Sequence, residues 1–284
     1  MTLPMSSASV DLRVEPVDEV LDRVERALQV CLERGTVVRK RRSVGARTHR
    51  DTWVRIERRQ VDRIDGQGWN GTECAQALTG IAKPAWCAGL AWWDESHAAV
   101  WRADETSLLP GNPVGSSVVA TDPELPDSWW QALSSSLDAL AGQHTTRVAT
   151  PDTMTITQAV VTEAIRAAFP GTFETAVTQW VPAHADLNWA NVTGPQFCLF
   201  DWEDWGNAPR GLDSASLWAS SLAVPALADR VRRERRRELE SRNGRLMMLF
   251  ACSKLVGPDA HPEDPRVRPA RHAAAQIVQE LQAG

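Results

Sequence analysis

The chain has 284 residues, 43% of them hydrophobic and 24% charged, enough for two lobes that each bury a core. Its formal net charge of −5 argues against a general nucleic-acid binder, because a phosphate backbone demands a surplus of Lys and Arg. No apolar run approaches the roughly 18 residues of a membrane span, residues 1–10 carry no signal-peptide pattern, and the five cysteines lack metal or disulfide spacing.

Those features together lead us to expect a cytoplasmic protein with reduced thiols. The basic residues are three lysines and 28 arginines, and 13 tryptophans stand beside no tyrosine, so tryptophan has to supply most large core side chains.

Residues 1–16 read as a loose arm with one short strand, Val10–Val14. Apolar residues spaced by three and four predict a helix over Val17–Glu33, closed by Gly35. Strand-like runs follow at Thr36–Arg42 and Thr52–Arg58, joined by a loop over Ser43–Asp51. A short helix is expected over Thr72–Leu78, and then a hairpin of Ala88–Trp93 and Ala98–Arg102 turning at 94–97. Pro, Gly, Ser and Asp dominate from Ala103 to Asp127, which reads as a hinge and long loop. Beyond it, helical patterns cover Ser128–Ala141, Ile156–Phe169, Asp213–Leu222, Ala226–Glu240, Gly244–Val256 and Arg268–Leu281, interrupted by a strand at Gln179–Pro182 and a hairpin at Asn191–Asp201. The expected fold is α+β: a small antiparallel-sheet lobe over residues 1–102 and a larger, mostly helical lobe over 103–284.

The chemistry concentrates in His184-Ala185-Asp186-Leu187-Asn188-Trp189-Ala190-Asn191 and the apolar run ending at Asp201. Pairing Thr193 with Cys198 across the Gly194-Pro195-Gln196 turn sets Val192 against Leu199 and Asn191 against Phe200. Asn191 and Asp201 then emerge together at the open end, with Asp186 on the loop leading in. Oxygen donors so gathered suit Mg²⁺, and Asp186 is placed to accept the proton of an attacking hydroxyl.

His-Ala-Asp-Leu-x-x-x-Asn followed by an apolar strand ending in Asp-Trp-Glu-Asp resembles the aminoglycoside phosphotransferase family, a branch of the protein-kinase-like fold. The resemblance is specific over residues 180–218 and architectural elsewhere. It implies a two-lobed kinase-like fold, ATP and Mg²⁺ as cofactors, Asp186 as catalytic base, Asn191 and Asp201 as metal ligands, and His184 as support for the loop. It implies that Asp213 is structural, either capping a helix or holding the catalytic loop. It also implies a hinge near Ala103–Glu105 that bonds adenine, and a cation on the sheet that grips the phosphates. Arg55, with Glu73 as its partner, is one candidate for that cation and Lys40 the other; Gly45 would lie in the loop over the phosphates.

Only about a dozen residues separate Asp201 from the helix near Asp213, which leaves no room for the activation loop of a protein kinase. The expected substrate is therefore a small molecule bearing a hydroxyl, aminoglycoside antibiotics and amino sugars first. Glu203, Asp204, Asp259, Glu263 and Asp264 could draw a cationic one or simply be solvated, and Trp189, Trp202 and Trp205 could stack on it or pack in the core. Two rivals stand beside this reading: a catalytically weak nucleotide-binding regulator of the same fold, and a nucleic-acid module built on the arginine-rich helix after Arg230. Acids interleaved at helical spacing make that helix a solvated face instead.

Overall fold

The computed structural model describes residues 11–64, 67, 69–95, 97–151, 154–171, 173–257 and 260–283. The chain divides into two units, Met1–Gln76 with Pro84–Leu108, and Ala77–Lys83 with Leu109–Gly284.

The first unit is a five-stranded antiparallel sheet with a helix on one face. Helix α1 (Asp18–Leu28) is shorter than its apolar pattern, because Gln29 turns left-handed (φ 55°). The chain then runs extended, burying Val30 and Leu32 by alternation, and the Leu32 amide donates to the Glu25 carboxylate at 2.7 Å. Strands β1 (Val38–Arg39), β2 (Ser43–Arg47), β3 (Thr52–Gln60), β4 (Trp86–Trp93) and β5 (Ala99–Ser107) lie in the order β1-β2-β3-β5-β4. Val44, Ala46, Val54, Ile56 and Ala103 meet Leu21 and Val24 of α1 in the core. Between β3 and β4 sits the one-turn helix α2 (Gly71–Cys74), shorter than the expected Thr72–Leu78.

Three sequence expectations change here. The described part of the expected Val10–Val14 strand, residues 11–14, is a turn, and Val10 lies outside the described residues. The division expected after residue 102 and the hinge at Ala103–Glu105 both fall inside β5. That strand lies between two neighbours: Ala103 pairs with Ile56 and with Leu90, and Glu105 with Val54 and with Ala88. Their backbone groups belong to the ladder, and the sheet unit extends to Leu108.

The second unit is mostly helical. After β6 (Asn112–Pro113) come α3 (Asp127–Ala141), α4 (Gln158–Ala168), β7 (Trp180–Ala183), β8 (Thr193–Gly194), β9 (Gly206–Pro209), α5 (Leu212–Ser220), α6 (Pro225–Glu234), α7 (Arg236–Leu239), α8 (Arg242–Val256) and α9 (Val267–Ala283). Thr157 and Ser241 cap α4 and α8 by accepting from Val160 and Gly244 amides, as N-cap hydroxyls do. The arginine-rich stretch expected as one helix breaks at Arg235, a buried residue (6% exposed side chain) bonded to Asp138, Ser214 and Glu238. Tryptophan fills the centre as expected: Trp129 stacks on Trp189 at 5.8 Å and meets Phe197 edge-on at 5.1 Å. Among the described residues no helix is long and apolar enough to cross a membrane.

Candidate active site

Strand β7 pairs with β9 and delivers the chain to His184. The next two backbone amides, His184 and Ala185, donate to the two oxygens of the buried Asp213 carboxylate at 2.7 and 2.8 Å. No side-chain bond caps α5, so of the two roles open to Asp213 it takes that of holding the loop. Its carboxyl is pushed above the usual carboxylate range by burial, against the pull of His184 and of those two amides. Ala185 is thereby fixed left-handed (φ 72°), the conformation in which a glycine is most at ease.

His184 is fully buried, and its Nε2 lies 2.9 Å from the Phe200 carbonyl. A carbonyl only accepts, so Nε2 carries the proton and ties the loop to the residue before Asp201. The ring meets Trp202 edge-on at 4.8 Å. Burial lowers its pKa, so the imidazole is kept neutral.

Asp186 is exposed at the tip of this loop. Asn188 Nδ2 donates to its carbonyl and to Oδ1, both at 3.1 Å, and Asn191 Nδ2 donates to the same carbonyl and to Oδ2, both at 2.8 Å. Both carboxylate oxygens are therefore fixed by amides. Asn188 also accepts from the Ala190 amide at 2.9 Å, which starts the 3₁₀ turn Trp189–Asn191. The sequence reading passed over Asn188; an Asn two residues after the acid and just ahead of a turn was the available signal.

The hairpin forms in the expected register. Val192 pairs with Leu199, the Thr193 amide donates to Cys198 O at 3.0 Å, and the Phe200 amide donates to Asn191 O at 3.0 Å. Asn191 thus stands opposite Phe200, and Asp201 (φ 70°) follows at the open end. With Asn191 Nδ2 spent on two acceptors of Asp186, its Oδ1 faces the other way, since the reversed amide would set oxygen against oxygen. An amide oxygen and a carboxylate form a hard donor set that fits Mg²⁺. Among the described residues no group of three or more His, Cys, Asp or Glu side chains could hold a metal, so a cation here would rely on Asn191, Asp201 and non-protein oxygens.

The segment after Asp201 is tied along its length. The Thr150 amide donates to Asp204 O at 3.0 Å, and Val148 bridges to Asn207. A Cβ at Gly206 would lie 2.4 Å from the Val148 carbonyl carbon, so this crossing needs glycine. The glycine and proline of β9 hid that strand from the sequence reading.

Of the two roles open to the three tryptophans, stacking on a substrate or packing, the structure shows packing. Trp189, Trp202 and Trp205 are 0%, 2% and 3% exposed, and the indole N–H groups of the first two donate to Ser221 and Leu199. Of the acids, Asp264 is bonded to Arg266, Glu263 is exposed, and Asp259 lies outside the described residues.

In the sheet unit the expected phosphate-binding residues lie differently from the sequence reading. Glu73 is bonded to Arg102 at 3.0 Å, and Arg55 bridges to Glu57 two residues on. Gly45 is not in a loop: it is a buried β2 residue paired with Val38 and Arg55. A Cβ there would come 2.4 Å from the Trp53 ring, so the glycine makes room for an indole. The alternation of Val44 and Ala46 with Gly45 was the overlooked strand signal. Lys40 is exposed in the turn between β1 and β2.

The fold is α+β and protein-kinase-like. Solved structures similar along almost the whole chain include a choline/ethanolamine kinase family protein from Mesorhizobium loti, at 14% identity and a TM-score of 0.52, covering 94% of this chain and 95% of that one. Others are spectinomycin phosphotransferase APH(9)-Ia, solved with ADP and spectinomycin (9% identity, TM-score 0.46, 95% of this chain and 99% of that one), and the choline kinase LicA from Streptococcus pneumoniae (12%, 0.46, 92% and 98%). No family model and no curated protein matches the sequence.

Proposed function

We propose that this protein is a kinase that moves the γ-phosphoryl group of ATP to a hydroxyl of a small molecule. The supporting observation is the Asp186 carboxylate, exposed yet fixed at both oxygens by Asn188 and Asn191. A phosphoryl-transfer site needs an oriented base and charge neutralisation, with little covalent work from the protein. In this reading Asp186 accepts the hydroxyl proton while Asn188 and Asn191 keep its oxygens aimed. His184 and Asp213 hold the loop from beneath. Asn191 and Asp201 would hold Mg²⁺, which neutralises phosphate charge when bound. The acceptor is taken to be cationic or sugar-like, as an aminoglycoside or amino alcohol is, and the reaction cytoplasmic.

Purified protein incubated with γ-labelled ATP, Mg²⁺ and a panel of amino sugars, aminoglycosides and amino alcohols should yield a labelled product of one added phosphate. Asp186→Ala should abolish it. A label that never leaves ATP with any acceptor would sink the reading.

One observation favours a second reading, a nucleotide-binding regulator of the same fold. Arg55 is engaged by Glu57, and Glu73 by Arg102. Tight ATP binding without transfer to any acceptor selects that alternative.

A further inference from the structure

On β3, Val54 and Ile56 enter the core of the sheet unit, so Arg55 and Glu57 project from the opposite face. Arg102 and Asp104 of β5, which flank the buried Ala103, project from that face too. The register sets Arg55 opposite Asp104 and Glu57 opposite Arg102. Arg55 bonds Glu57. Arg102 donates to Asp104 through Nε and Nη2, both at 2.6 Å, and to Glu73 at 3.0 Å. Among these five side chains two guanidiniums face three carboxylates, a balance that opposes a phosphate.

The two arginines are not equivalent. The Arg102 side chain is 10% exposed, and Asp104 is locked against it. Trp86 Nε1 donates to Asp104 Oδ1 at 2.8 Å, and a Cβ on Gly89 would lie 2.8 Å from the same oxygen. The Arg55 side chain is 36% exposed, so of the two forks it is the one that a phosphate reaches more readily. Glu57, in turn, has a second cation beside it. Arg102 is its cross-strand neighbour, at the about 5 Å typical of facing Cβ atoms. Among the described residues Arg102 Nη1 makes no bond, so it is a donor in reserve.

We infer that Glu57 is a movable carboxylate that competes with nucleotide phosphates for Arg55, a bound phosphate displacing it toward Arg102. This rests on the kinase reading above and makes Glu57 a residue that sets nucleotide affinity. The carboxylate keeps a guanidinium in either position, so the two arrangements lie close in free energy and a phosphate can tip them. The exchange moves one side chain and neither makes nor breaks a covalent bond.

Calorimetric titration of the full chain with ATP and Mg²⁺, and separately with adenosine, tests the competition. Glu57→Gln keeps the shape and removes the charge, and should tighten ATP about fivefold, the upper range for an exposed ion pair. Glu57→Ala should repeat that gain, and adenosine should show none. Arg55→Gln should weaken ATP by a similar factor, and adding Glu57→Gln to it should restore little, because the contested cation is gone. Each variant is measured with a wild-type circular dichroism spectrum and melting transition. ATP affinity unchanged or lowered in both Glu57 variants overturns the inference. So does an equal gain for adenosine, or a gain that survives in Arg55→Gln. Each of these outcomes, with ATP bound by wild type, leaves the kinase reading standing. Wild type and variants that all fail to bind ATP overturn both.

Discussion

Asp186 receives amide donors at both carboxylate oxygens, so removing the acid and removing a donor should be separable in kinetics. Asp186→Ala should lower kcat by about 10³-fold or more with the fold intact, near the upper range for general bases. Asn188→Ala, which leaves Asn191 in place, should cost less, about 10–100-fold in kcat, as loss of positioning does. Equal losses for the two variants would contradict the division of labour drawn here. His184 gives a pH test with a definite sign. Burial holds its pKa below the ordinary 6.5, so the unfolded chain takes up a proton first as pH falls. Its stabilisation is complete above about pH 6.5 and is lost as the pH drops toward the folded value. Asp213 shifts oppositely: raised by burial, it favours the folded state as pH falls into the window above 3.8. The His184 share is therefore read as a difference. Denaturant unfolding should weaken more between pH 7 and 5 in wild type than in His184→Gln, and parallel slopes would refute it.

At the scale of elements, the Asp186 loop and the segment after Asp201 are pinned by backbone contacts that tolerate little change. Asp213→Ala leaves two buried amides without acceptors, a loss of about 1–3 kcal/mol each. Chemical denaturation should show that loss together with reduced turnover. Gly206→Ala forces a carbon against the Val148 backbone, and a destabilisation of at least about 2 kcal/mol is expected for such overpacking. An unchanged unfolding midpoint for Gly206→Ala would mean that the crossing of 147–150 over β9 is looser than described. These elements also show what sequence patterns convey. The Asn191–Asp201 hairpin was legible down to its register, because turn residues between two short apolar runs leave one pairing that keeps both buried. β5 was read five residues short, because Asp104, Glu105 and Thr106 look like loop residues. Inside the sheet they are strand residues: Glu105 is buried against Arg50 and Thr52, and Asp104 pairs with Arg102. Charged side chains satisfied by partners within the sheet unit cancel the polarity on which a local reading depends.

For the whole molecule, nucleotide binding should appear as stability. If ATP with Mg²⁺ binds the folded chain alone, ligand at 100 times Kd should raise the unfolding free energy by about 2.7 kcal/mol. A melting temperature unmoved by millimolar ATP would remove nucleotide from the proposal. A net charge of −5, with Arg230 of α6 and Arg236 of α7 paired to neighbouring acids, predicts no steep salt-dependent binding to RNA or DNA.

By itself the sequence determined the order of a small sheet followed by helices and singled out the Asp186 loop as the candidate site. It also determined the hairpin that carries Asn191 to the start of Asp201. All of these rest on periodicity and short-range spacing, which operate between near neighbours in the chain. Only the tertiary structure decided that Asp213 grips the loop, that Glu73 turns to Arg102, that Gly45 accommodates an indole and that the tryptophans of the site are core. Each of those outcomes depends on a partner brought close by folding, and the pairing of a charge or the room around a glycine is set by that partner and by nothing local.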